Sequence, residues 1–280
     1  MMLDEIAART VLRVAELKRI ISMTEIETAA NLLPAETGFP FEKALKGPDI
    51  SFICEVKKAS PSAGVLSMDF PFLEIARCYE EAGAAAISVL TEPHFFQGSD
   101  EVLRQIAQHV RLPILRKDFI VDAYQIFEAK CLGASAILLI CALLDARKLA
   151  EFMAIAGQLG LSALIEAHTA DELQTAVKTG ARLIGVNNRN LQTFVVDLNT
   201  SLDLRKQVPD HILFVSESGI RTADDVTKLR EAGADGVLVG EVLMRSPDIG
   251  RQLQILRGVH SNLESTRQPQ YSGGVDHGTH

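Results

Sequence analysis

The sequence predicts an α/β fold, a (β/α)8 TIM barrel with an extra N-terminal helical segment. Three observations carry that prediction. From residue 51 onward, short apolar runs alternate with longer amphipathic segments, eight of each. Four of the joints between a helical segment and the next run share one punctuation: Ala82-Gly83-Ala84, Leu132-Gly133-Ala134, Thr179-Gly180-Ala181 and Ala232-Gly233-Ala234. Charged residues close several of the apolar runs in a single side-chain phase, as they do where barrel strands open onto a mouth.

In chain order, residues 1–48 precede the first run. Ile6, Val11, Val14, Leu17 and Ile21 fall at helical spacing and predict a helix over 4–23 packed on the barrel. The strands are expected at 51–56, 85–90, 112–116, 135–140, 162–166, 183–186, 212–216 and 236–239. Continuous apolar runs of this length suit parallel strands buried on both faces. Helices are expected at 72–82, 100–109, 123–132, 146–159, 171–179, 202–207, 223–232 and 249–256. Glycine at each punctuated joint ends a helix by taking positive φ. Eight βα units close a barrel more readily than they fill an open sheet. A doubly wound sheet is the runner-up, but no Gly-x-Gly-x-x-Gly follows any strand. Residues 1–258 then form a single domain. Residues 259–280 are polar and aperiodic, which reads as a disordered tail, with His277 and His280 solvated rather than metal-binding.

Composition limits the functions available. The 280 residues are 47% hydrophobic and 23% charged, ordinary for a globular chain with a sizeable core. A net charge of −8 repels nucleic-acid phosphates, so no nucleic-acid partner is expected and an anionic ligand needs a local positive pocket. Cys54, Cys78, Cys131 and Cys141 form no Cys-x-x-Cys pair, which suits a reducing compartment. The N-terminus lacks an apolar signal segment, and the longest apolar run, 136–144, is about half a bilayer span. A soluble, cytoplasmic protein with no membrane contact is expected.

The informative charges lie at strand ends. In the first strand Ile53, Glu55 and Lys57 share one face; phase with Glu55 selects Lys57 over Lys58 for the mouth. In the third, Leu115 and Lys117 share a face, although Lys117 also has Asp118 as a neighbouring partner. In the fifth, Ser162, Leu164 and Glu166 are in phase. In the sixth, Leu183, Gly185, Asn187 and Arg189 continue one phase into the loop, where Arg189 can also be a solvated charge. Two lysines, two carboxylates and an arginine thereby converge on one opening. A lysine near another cation, or partly desolvated, is expected to have a lowered pKa and act as a general acid. A partly buried glutamate is expected to have a raised pKa and act as a general base.

Glycine-containing turns follow strands seven and eight: Ser216-Glu217-Ser218-Gly219-Ile220 and Val239-Gly240-Glu241-Val242. In barrels these two loops and a short helix often bind phosphate through backbone N–H groups. The Glu241 side chain would repel phosphate, so only its N–H is expected to face the ligand.

The segments Glu55-Val56-Lys57-Lys58-Ala59-Ser60-Pro61-Ser62, Leu115-Arg116-Lys117-Asp118-Phe119-Ile120 and Gly185-Val186-Asn187-Asn188-Arg189-Asn190-Leu191 resemble signatures of the indole-3-glycerol phosphate synthase family. So do Ser88-Val89-Leu90-Thr91-Glu92 with Phe95-Phe96-Gln97-Gly98-Ser99, and the two turns above. The resemblance extends from the N-terminal helix to about residue 256, with Ala167 in place of a larger, outward-facing aliphatic residue.

The resemblance implies decarboxylating ring closure of 1-(2-carboxyphenylamino)-1-deoxyribulose 5-phosphate to indole-3-glycerol phosphate, releasing CO2 and water, in tryptophan biosynthesis. It implies Lys117 as acid, Glu166 as base and Lys57 assisting departure of the hydroxyl. Lys57 and Arg189 hold the substrate carboxylate, while Glu55 and Asn187 orient hydroxyls and Ser60 joins the binding set. Pro61, Phe96, Phe119 and Leu191 enclose the aromatic ring, and Ser218, Gly219, Gly240 and Glu241 hold the phosphate. Neither a metal nor another cofactor is expected. The only partner expected is the phosphorylated small molecule, acting on a monofunctional monomer or weak homodimer. Phosphoribosylanthranilate isomerase, a rival barrel, needs a Cys and Asp pair where this chain has Glu55 and Lys57. A silent, ligand-binding barrel is the rival of another class, disfavoured by the intact Lys117 and Glu166.

Overall fold

The apolar runs pair side by side in parallel and close on themselves. The computed structural model describes residues 2–190 and 193–258. In chain order the strands are β1 (Ser51–Val56), β2 (Ala59–Ser60), β3 (Gly64–Val65), β4 (Ala86–Leu90), β5 (Ile114–Lys117), β6 (Ala136–Ile140), β7 (Ser162–Ala167), β8 (Leu183–Asn187), β9 (Leu213–Glu217) and β10 (Gly236–Val239). Among the described residues, β1 and β4 to β10 close a barrel in sequential order, while β2 and β3 pair as a small antiparallel hairpin. The helices are α1 (Met2–Ile20), α2 (Met23–Asn31), α3 (Pro40–Ala44), α4 (Phe72–Glu81), α5 (Asp100–His109), α6 (Tyr124–Leu132), α7 (Ala146–Gln158), α8 (Ala170–Lys178), α9 (Asn199–Arg205), α10 (Ala223–Glu231), α11 (Glu241–Met244) and α12 (Ile249–Arg257).

Strand alternation splits the core into two layers. Inward residues Ile53, Leu115, Leu138, Leu164, Leu183, Val215 and Leu238 fill the barrel, and Phe41 and Leu45 from the α3 region close its N-terminal end. Outward residues such as Val56, Val89, Ile137, Ile165, Val186 and Val237 meet the helices. Ala167 lies in this outer layer, as its phase requires. The four punctuating glycines, Gly83, Gly133, Gly180 and Gly233, have φ of 82, 89, 83 and 83°. Ser99, Asp145, Thr169 and Thr222 accept backbone N–H groups at helix starts, so α5, α7, α8 and α10 begin as the loops leave the mouth.

Several expected boundaries move. The single helix expected at 4–23 breaks at Ser22, which forms a reciprocal capping box with Glu25 and starts α2. Residues 1–48 thus hold three helices rather than one. β5 and β9 run one residue further than expected, to Lys117 and Glu217, because ladder pairing is a backbone property and continues under a charged side chain. The β2–β3 hairpin was not expected at all. The helix expected at 202–207 starts earlier, as α9. The expected tail, with His277 and His280, lies outside the described residues, as does Leu191.

Candidate active site

The barrel mouth is built from one layer of inward side chains. The register pairs Leu90 with Lys117, Ile140 with Glu166, Glu166 with Gly185, and Asn187 with Glu217, so these residues lie at similar height. Glu55 and Lys57 complete the layer from β1, with Lys57 Nζ donating to Glu55 Oε1. Lys117 is the hub: its Nζ lies 3.4 Å from Glu166 Oε2 and 3.5 Å from Glu217 Oε2.

Two glycines make room for the carboxylates. A side-chain carbon at Gly185 would fall on Glu217 Oε1, and one at Gly240 would lie 2.6 Å from Glu55 Oε1. Glycine at these positions is therefore a condition of the charged layer rather than of any turn.

Lys117 does not pair with its neighbour. Asp118 is taken by Arg13 of α1, whose Nη2 donates to its two oxygens at 2.9 and 2.7 Å. Arg116, pointing outward and fully buried, spreads its charge over Asp100, Glu128 and Asp118 at 2.8, 2.7 and 3.4 Å. Both arginines hold the β5 end from behind and leave Lys117 to the mouth.

The electrostatics correct the expected pKa assignments. Burial alone would lower the Lys117 pKa, but Glu166, Glu217 and Glu55 outweigh it and push it above its usual value. Glu166 is not raised: burial acts upward, yet Lys117 and His168 hold it below the ordinary carboxylate value. Glu55 is likewise held low, because Lys57 and Lys117 outweigh its burial. The raised carboxyl is Glu217, pushed up to about 8 by burial and by the charges of Glu166 and Glu55, against the pull of Lys117. At neutral pH the layer therefore holds an ammonium at Lys117, a carboxylate at Glu166 and a protonated Glu217.

One cavity of about 570 Å³ collects Glu55, Lys57, Ser60, Pro61, Phe96, Lys117, Phe119, Glu166, Asn187, Arg189, Ser218, Gly219, Gly240 and Glu241. Every described residue singled out from the sequence thus faces the same space, and only Leu191 falls outside the description. The Phe96 and Phe119 rings lie 5.9 Å apart, tilted, on one wall. Asn187 Oδ1 accepts the Arg189 N–H at 3.0 Å. Arg189 faces the cavity rather than bulk solvent, with Nη2 at 4.0 Å from Glu241 Oε2. At the opposite end Ser218 and Gly219 both take positive φ, 65 and 83°, and Asn188 Nδ2 donates to Ser218 O at 2.9 Å. The Glu241 carboxylate is drawn toward Arg245 Nε at 3.1 Å.

Glu217, His168 and Phe194 were missed in the sequence. Glu217 shares the Leu213–Val215 phase but lies one residue past the apolar run expected at 212–216. His168 lies two residues beyond Glu166, in the same phase. Met2, Leu3 and Ile6 of α1 also line the cavity. Among the described residues no group of three or more His, Cys, Asp and Glu side chains could hold a metal ion.

A mouth with a buried ammonium between carboxyl groups can give and take protons. Its arginine and lysine side chains suit an anionic substrate, and its aromatic wall a flat ring. The family model for indole-3-glycerol phosphate synthase matches residues 3–256. An indole-3-glycerol phosphate synthase of Ruminiclostridium cellulolyticum is 54% identical over 258 residues, covering 92% of this chain and 99% of that protein. Its counterpart from Endomicrobium trichonymphae is 50% identical, covering 92% and 100%. Among solved structures, a 3-hexulose-6-phosphate synthase superposes with a TM-score of 0.61 at 14% identity, over 76% of this chain and 100% of that one, a likeness of fold.

Proposed function

The chain belongs to the indole-3-glycerol phosphate synthase family and carries out that carboxy-lyase step of tryptophan biosynthesis, and we propose that the buried Lys117–Glu166 pair supplies its acid and base. The observation carrying the proposal is the Lys117 ammonium held 3.4 Å from Glu166 at the floor of the cavity. The substrate phosphate sits on the backbone N–H groups of Ser218, Gly219, Gly240 and Glu241. Phe96, Phe119 and Pro61 enclose the ring, and Lys57 and Arg189 hold its carboxylate. Glu55, Asn187 and Ser60 orient the sugar chain.

The ring carbon bearing the carboxylate attacks the ribulose carbonyl. As the C–C bond forms, electrons move onto the carbonyl oxygen, and Lys117 protonates it. The raised pKa of Lys117 does not prevent this, because an incipient alkoxide is more basic than an amine. CO2 then leaves and its bonding pair restores the ring. Glu166 takes the proton released in dehydration, and Lys57 assists the hydroxyl as it departs as water. Protonated Glu217 adds a neutral hydrogen-bond donor beside Lys117.

The described residues of one chain provide these groups, so a monomer or weak homodimer suffices. Among the described residues no helix is long and apolar enough to cross a membrane. The four free cysteines suit a reducing cytoplasm. Residues 1–258 act as one domain, with the 1–48 extension included. Conversion of the carboxyphenylamino substrate, followed by indole fluorescence, tests the assignment. Turnover by the parent and its loss in Lys117→Ala, with the fold intact by circular dichroism, is expected. A fully active Lys117→Ala overturns it.

A further inference from the structure

His168 is largely buried beside the mouth, its side chain 11% exposed, and has no part in the mechanism above. Its Nε2 lies 3.3 Å from Glu166 Oε1, and its Nδ1 lies 3.4 Å from Glu172 Oε2. The Glu172 carboxylate also accepts the His168 backbone N–H at 2.6 Å, which fixes it at the start of α8. Each ring nitrogen thus lies at ion-pair distance from a carboxylate oxygen, without the alignment of a hydrogen bond. A neutral imidazole carries one N–H, so one nitrogen would present its lone pair to an anion. Only the imidazolium is attracted to the carboxylates on both sides.

The other ionisable neighbours reinforce this. Glu166 and Glu172 attract a proton at His168, and Glu217 on β9 adds to this only above about pH 8, where it ionises. Lys117 on β5 lies beyond Glu166, on that residue's other oxygen. Cys141, after β6, is pushed up to about 12 by burial and by Glu172 and Glu166, so it stays a neutral thiol. Burial works against the imidazolium, but the carboxylates outweigh it and the His168 pKa lies above its ordinary value.

We propose that His168, as an imidazolium, is a positioning residue that keeps Glu166 ionised and aimed while Lys117 is without its proton. The inference rests on Glu166 being the base. When Lys117 gives its proton to the substrate oxygen, an N–H bond breaks, an O–H bond forms, and Glu166 loses the cation on its Oε2. Unsupported, a carboxylate this buried would recapture a proton and cease to be a base. The His168 charge, on the oxygen that Lys117 does not touch, prevents that.

The test is the pH dependence of kcat and KM for the parent, His168→Gln, His168→Lys and Glu172→Gln, with Glu166→Gln alongside. Removing the positive charge raises the Glu166 pKa, so the base protonates at higher pH. His168→Gln is expected to move the acid limb of kcat upward by about one pH unit with KM little changed. His168→Lys, which restores a cation, is expected to return the limb toward the parent. Glu172→Gln keeps the imidazole but weakens its charge, and moves the limb the same way by less; it carries the test if His168→Gln does not fold. An acid limb unmoved in both neutralising variants overturns the inference, as does a His168→Lys that behaves like His168→Gln. An active Glu166→Gln instead overturns the assignment of the base, whereas an inactive Glu166→Gln with an unmoved limb in His168→Gln sinks only the role of His168.

Discussion

Replacing Lys117 with methionine keeps the length of the side chain and removes its charge. The ammonium lies 3.4 and 3.5 Å from two buried carboxyl groups. At an effective dielectric constant of about 20, one unit-charge pair at that separation attracts by roughly 5 kcal/mol. Desolvation of the ammonium offsets several kcal/mol of this. Breaking a buried pair from one side typically costs about 3–5 kcal/mol, because the partner keeps its burial and loses its counter-charge. The variant can relieve that cost by protonating Glu166, whose pKa rises once Lys117 is gone. A carboxyl with a raised folded pKa loses stability as pH rises. The destabilisation should therefore be about 3 kcal/mol at pH 8 and distinctly smaller at pH 6. Loss of the general acid should lower kcat by about 10²–10⁴-fold. Urea denaturation at both pH values and initial rates of indole fluorescence measure the two effects. A kcat within tenfold of the parent would refute the acid role. A stability loss no larger at pH 8 than at pH 6 would refute the electrostatic account of the layer.

The remaining predictions concern the groups around that hub. Folded Glu217 holds its proton from the ordinary carboxylate pKa of 4.5 up to about 8, so the parent loses stability as pH rises across that window. Glu217→Gln cannot ionise, and its stability relative to the parent should rise there by on the order of 1 kcal/mol per pH unit, then level off; a flat difference between pH 5 and 8 would contradict it. Gly185→Ala places a methyl group on Glu217 Oε1 and should destabilise by about 1–3 kcal/mol while lowering kcat, measured by thermal melts and rates. Arg13→Ala leaves the buried Asp118 with Arg116 as its only charged partner among the described residues and should cost about 3–5 kcal/mol in urea denaturation; a loss under ~1 kcal/mol would show that the α1 clamp is incidental. Phe119→Ala removes half of the tilted ring pair and should raise KM more than it lowers kcat.

Most of the barrel could be read from the sequence because each level repeats the same instruction. Apolar runs set the strands, glycine joints end the helices, and phase along each strand separates core from mouth. Glu55, Lys117, Glu166 and Asn187 were found by phase alone. Glu217 obeys the same rule, but a strand judged by apolar content stops one residue early, at Ser216. The break at Ser22 was written in the sequence as Ser-x-x-Glu and was hidden by the apolar spacing that runs across it. The sequence could not give the pKa order within the charged layer. That order depends on distances among side chains from β1, β5, β7 and β9, which sequence neighbours do not encode. Hence Glu217, rather than Glu166, is the carboxyl that keeps its proton.

A crystal structure with indole-3-glycerol phosphate bound tests the central claim most directly. The product's phosphate should rest on the main-chain N–H groups of Ser218, Gly219, Gly240 and Glu241, its ring against Phe96 and Phe119, and its reacted carbons within reach of Lys117 and Glu166. A product seated with its ring system away from Lys117 and Glu166, or with its phosphate held elsewhere, would contradict the account.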